Sequence, residues 1–427
     1  MALHAAKETV AAQTLKFLQE LLSDYHPRNF EIELWDGTRW QPEPGQFRRF
    51  TWKINSPTAV RSVFTSASQL ALAEAYICND FDIDGDIEII FPLADYFSNL
   101  SSTRKIQLAA LLLKLPSGSN RKRSTHAATL HGRAHTKSRD RQAIQYHYDV
   151  SNDFYRLWLD PNMVYSCAYF KNAHDDLETA QLQKLDYICR KLRLKPGERL
   201  LDIGCGWGGL ILHAARHYGV NALGITLSKQ QFALANERIE RENFADRCRV
   251  NLVDYREIGE PESFDKISSV GMVEHVGERN LEEYFRCAYR LLRPGGVFFN
   301  HGIGIPKNSP KPEGPTFADL YVFPDGELVP IGRMTRAAES AGFEVRDVEN
   351  LREHYALTLH HWVHRMTERS REVLRVVDET TYRIWRLHMA GSAYYFDTGR
   401  LDLYQTLLVK SQNGSSHLPL TRADWYS

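Results

Sequence analysis

The stretch LLDIGCGWGGL, residues 200–210, sets Gly204, Gly206, Gly208 and Gly209 between an apolar run and an amphipathic one. Glycines at a strand-to-helix junction let the backbone come close to a ligand. A dinucleotide loop of this kind presents a helix N-terminus to pyrophosphate and carries an acid about 20 residues further on for the ribose. Here the next apolar run ends in GITLS, with Thr226 and no acid, while Asp202 stands immediately before the loop. An acid in that place suits a cationic ligand better than a pyrophosphate. The alternative is a turn that binds nothing. Upstream, YSCAYF at 165–170 holds Ser166 and Cys167 between two tyrosines. A buried cysteine taken alone is more often inert packing than a reactive group.

Two other clusters look chemical and point to no metal. DFDIDGDIEIIF (80–91) starts like a calcium loop, with Asp80, Asp82, Asp84 and Gly85 in place, but Phe91 stands where the bidentate glutamate belongs. His360, His364 and Glu368 are four apart on one helical stretch, and no further ligand motif accompanies them. A packed or solvated helix face accounts for that spacing.

The elements that must position the glycine loop alternate between strand and helix. RLLDIG is a buried strand, and GLILHAARHYG is a helix stopped by Gly219. NALGIT is a second strand, and Ser228-x-x-Gln231 starts the next helix as a capping box. RVNLVD, FDKISSV and VFFNHGIGI supply more strands, with a helix at 282–292 and an RPGG turn before the last. Strands alternating with helices predict an α/β, Rossmann-like fold, a parallel sheet covered on both faces. Residues 1–115 read as a smaller α+β domain, with a hairpin turning at Asp36-Gly37 and a helix in SQLALAEAYI. Residues 116–142 are poor in apolar side chains and rich in base, as in a linker, and 143–427 form a larger domain that holds the glycine loop, with aromatic and Arg-rich helices after 350.

At 427 residues the chain is long enough for two or three domains. Lys plus Arg and Asp plus Glu both number 53, but residues 101–150 hold ten bases against two acids. That excess adjoins KIQLAALLLKL (105–115), either a packed helix or one lying at an anionic membrane surface. The six cysteines have no paired or metal-type spacing, which suits the reduced thiols of a cytoplasm. No signal-type or membrane-spanning apolar run is present, so a membrane would be met from the side. Nucleic acid is not an expected partner, because the bases are not interleaved with aromatics and no Asn-Pro-Pro-Tyr motif occurs.

LDIGCGWGG resembles the first motif of S-adenosylmethionine (SAM)-dependent methyltransferases, and HYDVSNDFYRLWLDPNMVYSCAYF with GITLSKQQ is similar to the cyclopropane fatty acid synthases among them. The resemblance implies a class I SAM-dependent methyltransferase domain. Tyr165 and Ser166 would approach SAM, with Gly204 and Gly206 at its methionine part. Thr226, Leu227 and Gln231 would serve the ribose and adenosine region, and Asp254 and Tyr255 would flank adenine. Gln231 could also do no more than cap its own helix.

The chemistry implied is addition of a methylene to a cis double bond in phospholipid acyl chains. An isolated alkene is a poor nucleophile, so it must be held in line with the sulfonium methyl, and a base must then take a proton from the new methyl. In the resembled family that base is a bicarbonate ion. Its counterpart residues here are Cys167, Glu274, His301, the backbone around Ile303, and Tyr355, in YSCAYF, MVEHVG, NHGIG and EHYALTLHHW. The resemblance further implies a homodimer at the inner membrane face, and the N-terminal domain favours phospholipid over carrier-bound substrates. Two other outcomes fit the same motifs: a carbocation that ends as a methyl-branched or oxygenated chain, and a noncatalytic lipid-binding protein that keeps SAM.

Overall fold

The computed structural model describes residues 2–66, 68–118, 126–310, 312 and 314–426, with backbone alone at 2–9 and 66. The chain forms two compact units. One comprises residues 1–127, 315–321 and 379–391; the other comprises 128–314, 322–378 and 392–427.

The first unit is built on four strands, β1 (Phe30–Leu34), β2 (Arg39–Trp40), β3 (Phe50–Ile54) and β4 (Phe81–Gly85), in the order β2-β1-β3-β4. The β1–β2 hairpin turns at Asp36-Gly37, and Gly37 takes the left-handed conformation (φ +87°) that such a turn needs. Phe30, Ile32, Phe50, Trp52, Phe81 and Ile83 are buried between the sheet and its helices. SQLALAEAYI is the helix Gln69–Ile77, whose first turn is capped by the Ser68 hydroxyl. The acids of the calcium-like stretch face cations: Asp84 pairs with Lys53, Asp86 with Arg49 and Asp82 with Arg383.

KIQLAALLLKL begins within the helix Ser102–Leu112, and the helix has two apolar faces. Leu108 and Leu115 are buried, whereas Ile106 and Leu113 are 74% and 68% exposed. Arg61 donates to the carbonyls of Leu113 and Leu115 and so closes the helix end.

The expected linker at 116–142 needs correction. Arg121, Lys122 and Arg123 lie outside the described residues. From Lys137, however, the chain is helical (Lys137–Tyr148), capped by Thr136, and Arg139 grips Asp325 through two hydrogen bonds of 2.5 and 2.8 Å. This helix is anchored in part by charge, so apolar content alone hid it. The boundary between units falls at 127/128 rather than 115, and residues 315–321 and 379–391 join the first unit from far along the chain.

The second unit holds β5 (Arg199–Ile203), β6 (Asn221–Thr226), β7 (Cys248–Leu252), β8 (Phe264–Val270), β9 (Leu292–Gly304), β10 (Glu344–Asn350) and β11 (Asp402–Val409). They make one sheet in the order β10-β11-β9-β8-β5-β6-β7, in which β11 runs antiparallel between β9 and β10. Neighbouring side chains go to opposite cores. Leu200 and Phe299 pack on one face with Ile211 and Ala214, while Leu201 and Phe298 pack on the other with Ile267 and Phe285. That is why these strands read as continuous apolar runs. The expected RPGG turn is instead a bulge inside β9. Phe264 pairs with Leu292 and Lys266 with Val297, and Gly295 takes φ +77° where the extra residues loop out.

Candidate active site

A cleft of about 1120 Å³ opens at the carboxyl ends of β5, β6 and β8, the place where open α/β sheets bind ligands. Gly204, Gly206 and Gly208 all have positive φ (+78°, +54° and +81°), so the loop after β5 can take its shape only with glycine. The amides of Gly204 and Cys205 both donate to the Ile225 carbonyl, tying this loop to β6. At the end of β6, the Thr226 hydroxyl donates to Gln231 Oε1 at 2.7 Å and accepts from the Ser228 amide. Only half of the expected capping box forms. Ser228 caps the Gln231 amide, but the Gln231 side chain turns to Thr226 instead of back to Ser228.

Tyr165, Ser166, Gly204, Gly206, Thr226, Leu227, Gln231, Asp254 and Tyr255 all line this cleft. The Asp254 carboxylate is held by Arg256 at 2.6 and 2.8 Å, and Arg256 also reaches Asp140. Asp202 is buried at the cleft floor with the Ser268 hydroxyl donating to it at 2.7 Å, and burial pushes its carboxyl up to about 6. Tyr165 sits in a cage of rings. Trp158, Trp362, Tyr155 and Tyr148 have centroids 5.2–6.1 Å from its own.

Glu274 lies in a short 3-10 turn, Val273–His275, just beyond β8. Its Oε1 accepts from the Ile303 amide at 2.6 Å, and its buried Oε2 has no hydrogen-bond partner among the described residues. Burial pushes the Glu274 carboxyl up to about 7, against the pull of that amide. Burial, with a smaller push from Glu274, keeps the Tyr355 hydroxyl protonated and a donor. Burial likewise keeps Cys167 a thiol, which donates to the Ala168 carbonyl at 3.1 Å.

His301 lies on the face of β9 shared with Phe299. It makes no hydrogen bond to the other four residues among those described. Gln405 Nε2 donates to its Nδ1 at 3.2 Å, which leaves the imidazole hydrogen on Nε2, buried and without a partner. Burial drives its basicity well down, so the ring is neutral. The structure therefore joins Glu274 to Ile303 directly, and the Tyr355 ring packs against Trp362 and Phe396. The Ile303 amide serves Glu274 rather than standing free for an anion.

Two buried polar side chains in contact with these residues were not among the sequence candidates. Lys184 is buried on the helix Leu177–Leu192, lines the cleft and donates to Ser166 Oγ at 2.8 Å. Its signal was a polar pair, Gln181 and Lys184, on the stripe Leu177, Ala180, Leu185, Ile188. Gln405 is a lone amide in the apolar strand β11. Of the cluster weighed for metal, His360 pairs outside it with Asp397, and His364 pairs with Glu368 along the helix.

A sheet of this order with a glycine loop at its centre is the class I SAM-dependent methyltransferase fold. The profile described as mycolic acid cyclopropane synthetase matches residues 135–406, and a domain of unknown function matches residues 17–104. The chain belongs to the mycolic acid cyclopropane synthetase family and is a SAM-dependent methyltransferase of the cyclopropane synthase type. A probable fatty acid methyltransferase of Pseudomonas putida is 40% identical over 399 residues, 92% of this chain and 95% of the relative. The cyclopropane-fatty-acyl-phospholipid synthase of Escherichia coli is 38% identical over 63% of this chain and 68% of its own. Among solved structures, mycolic acid cyclopropane synthase CmaA1 complexed with SAH and CTAB aligns with TM-score 0.60 and 34% identity, over 63% of this chain and 97% of that one.

Proposed function

We propose that the protein adds a methylene group from SAM across the cis double bond of unsaturated acyl chains in phospholipids. The observation that carries the reading is the pair of buried, unpartnered polar atoms, Glu274 Oε2 and His301 Nε2, in the part of the fold that adjoins the SAM-type cleft. Buried polar atoms without partners are costly, so a small polar guest is expected to satisfy them.

The groups fit a small oxyanion. His301 Nε2–H and the Tyr355 hydroxyl are donors, and Glu274, poised near neutrality, can share a proton instead of repelling negative charge. When bound, SAM supplies an electrophilic methyl on a sulfonium, and bicarbonate supplies a base. Glu274, His301 and Tyr355 would hold that anion, with Cys167 beside it and the Ile303 amide fixing the Glu274 carboxylate. Tyr165, Trp158 and Trp362 exclude water and offer ring faces to positive charge on the acyl chain. Tyr165 and Ser166, with the loop at Gly204 and Gly206, position the methyl donor. Thr226, Leu227, Gln231, Asp254 and Tyr255 would take its nucleoside part.

No helix among the described residues is long and apolar enough to cross a membrane. Ile106 and Leu113, exposed between Lys105 and Lys114, support contact of the first unit with an anionic bilayer from its surface.

A second reading keeps the cofactor and ends in a methyl-branched chain. It is favoured by relatives named probable fatty acid methyltransferases, from Pseudomonas putida and Mycobacterium tuberculosis, which align over 92% and 86% of this chain. Incubation with SAM and monounsaturated phospholipid vesicles, followed by mass spectrometry and proton NMR of the released fatty acids, separates the two. High-field ring protons on a product one CH₂ heavier establish cyclopropanation, and a methyl branch establishes the second reading.

A further inference from the structure

The segment 165–170 pairs with no strand among the described residues, so its backbone finds its partners one by one. Three consecutive amides do so on two helices. Ala168 donates to Thr358 Oγ1 and Phe170 to His354 Nδ1, each at 3.0 Å and both on the helix Arg352–Glu368. Between them, Tyr169 donates to the Ala180 carbonyl of the helix Leu177–Leu192 at 3.1 Å. His354 and Thr358 stand four apart on one face of their helix, and the Thr358 hydroxyl donates back to the His354 carbonyl at 2.7 Å. Rings follow the same face. His354 stacks on Tyr169 with centroids 4.9 Å apart and 9° between planes, and His361 stacks on Phe170 at 5.7 Å and 6°. An amide can only donate, so His354 Nδ1 keeps its lone pair and the imidazole hydrogen sits on Nε2. Burial lowers the basicity of this ring against the pull of Glu349 and Glu353, which favours the same neutral form.

From this arrangement we infer that His354 is a positioning residue for the reaction: by holding the Phe170 amide, it fixes the helix that carries Tyr355 against the chain at Cys167. The inference rests on the reading of Cys167 and Tyr355 as groups around the anion. Cys167 immediately precedes the clamped amides, its thiol 3.9 Å from the Leu351 carbonyl at the head of the helix, and Tyr355 immediately follows His354. The next stripe of the helix faces the ring cage, where Trp362 lies 6.1 Å from Tyr355 and 5.2 Å from Tyr165. A slip of the helix would move Tyr355 and Trp362 together. Neither His354, Thr358 nor Tyr355 lines the cleft at the glycine loop, and Ser166, which does, is held separately by Gln181 at 2.9 Å to its carbonyl. The clamp therefore acts on the reacting centre and leaves cofactor binding alone.

The test compares two substitutions at His354 in the full-length protein, with kcat measured on monounsaturated phospholipid vesicles and affinity for S-adenosylhomocysteine by calorimetry. His354→Phe keeps a ring against Tyr169 and removes the acceptor. Its kcat is expected to fall about 10- to 100-fold, the scale of a misplaced reacting group, while affinity for S-adenosylhomocysteine holds within about twofold. His354→Asn loses the ring but offers Oδ1 near the place of Nδ1, and is expected to bring kcat back to within a few-fold of wild type. A role in packing alone predicts the reverse order, with His354→Phe the better tolerated. Thr358→Val withdraws the acceptor of Ala168 and is expected to show the same loss of kcat at constant affinity. Wild-type kcat in His354→Phe, or a greater loss in His354→Asn than in His354→Phe, overturns the assignment; should those variants not fold, wild-type kcat in Thr358→Val does so. Glu274→Gln on the same vesicles tests the reading beneath it. Wild-type turnover there removes the anion centre itself, whereas a slow Glu274→Gln beside a wild-type His354→Phe removes the clamp alone.

Discussion

The Ile303 amide donates to Glu274 Oε1 at 2.6 Å, so strand β9 holds one carboxylate oxygen and leaves the other without a partner among the described residues. This bond fixes the rotamer of Glu274 without satisfying it. Glutamine keeps an acceptor for Ile303 but lacks the ionisable oxygen. Glu274→Gln is therefore expected to slow turnover on vesicles by about 100-fold or more while SAM affinity changes by less than about twofold. Single-turnover kinetics with calorimetric binding check it. Wild-type turnover in this variant would remove Glu274 from the proton-handling step.

The raised carboxyl of Glu274 gives activity and stability opposite responses to pH. The folded protein keeps this proton up to about 7, whereas the unfolded chain releases it near the ordinary value of about 4.3. Stability present at pH 4 is thus lost as pH rises through 7, by about 4 kcal/mol at most. Activity that needs the ionised form rises over the same interval. Urea unfolding at pH 5 and pH 8 should show Glu274→Gln gaining on wild type only at the higher pH. A constant difference would mean that Glu274 does not titrate in this range.

Gly302 supports the same residue from below. A Cβ there would stand 2.3 Å from Val273 Cγ1 and 3.6 Å from Glu274 Oε1. Gly302→Ala is expected to cost about 1–3 kcal/mol and to lower kcat by displacing the turn that carries Glu274. SAM binding should survive, because the loop at Gly204 is untouched. Thermal unfolding and calorimetry separate the two effects.

Gly206 offers the reverse case. Its φ is +54° and nothing lies within 4 Å of the position a Cβ would take, so a side chain there would occupy open space at the cleft. Gly206→Val combines left-handed strain with obstruction and is expected to weaken SAM binding by at least about 100-fold in a folded protein. Unchanged affinity would move the cofactor elsewhere.

At the other unit, Ile106→Glu with Leu113→Glu replaces two exposed apolar side chains. Vesicle sedimentation with anionic lipid is expected to show several-fold weaker binding, and thermal stability should change little for such surface sites. Equal binding would mean that this helix does not face the bilayer.

What could be read from the sequence was what is local. The glycine loop, the Ser228 cap and the strand-helix alternation each depend on residues within a few positions, and each is present. The RPGG segment has the composition of a turn, yet pairing with β8 on one side and β11 on the other draws it into a bulged strand. The limits of the two units were not legible, because residues 315–321 and 379–391 join the first unit across long stretches of chain. At the site, Cys167, Glu274, His301, Ile303 and Tyr355 were named through resemblance. Lys184 and Gln405 were passed over, since a polar residue in an apolar element shows its purpose only once its partner, Ser166 or His301, is known.

Strand β11 is inserted between β9 and β10 although it is made after both. On a growing chain, β9 would therefore present an unpaired edge until residues 402–409 have emerged, and Gln405 would reach His301 only then. The hydrogen bond that sets the His301 tautomer thus waits for the strand that follows all the others of this sheet in the chain. A chain that stops short of residue 402 could carry the whole glycine loop and still leave His301 without the amide that orients it.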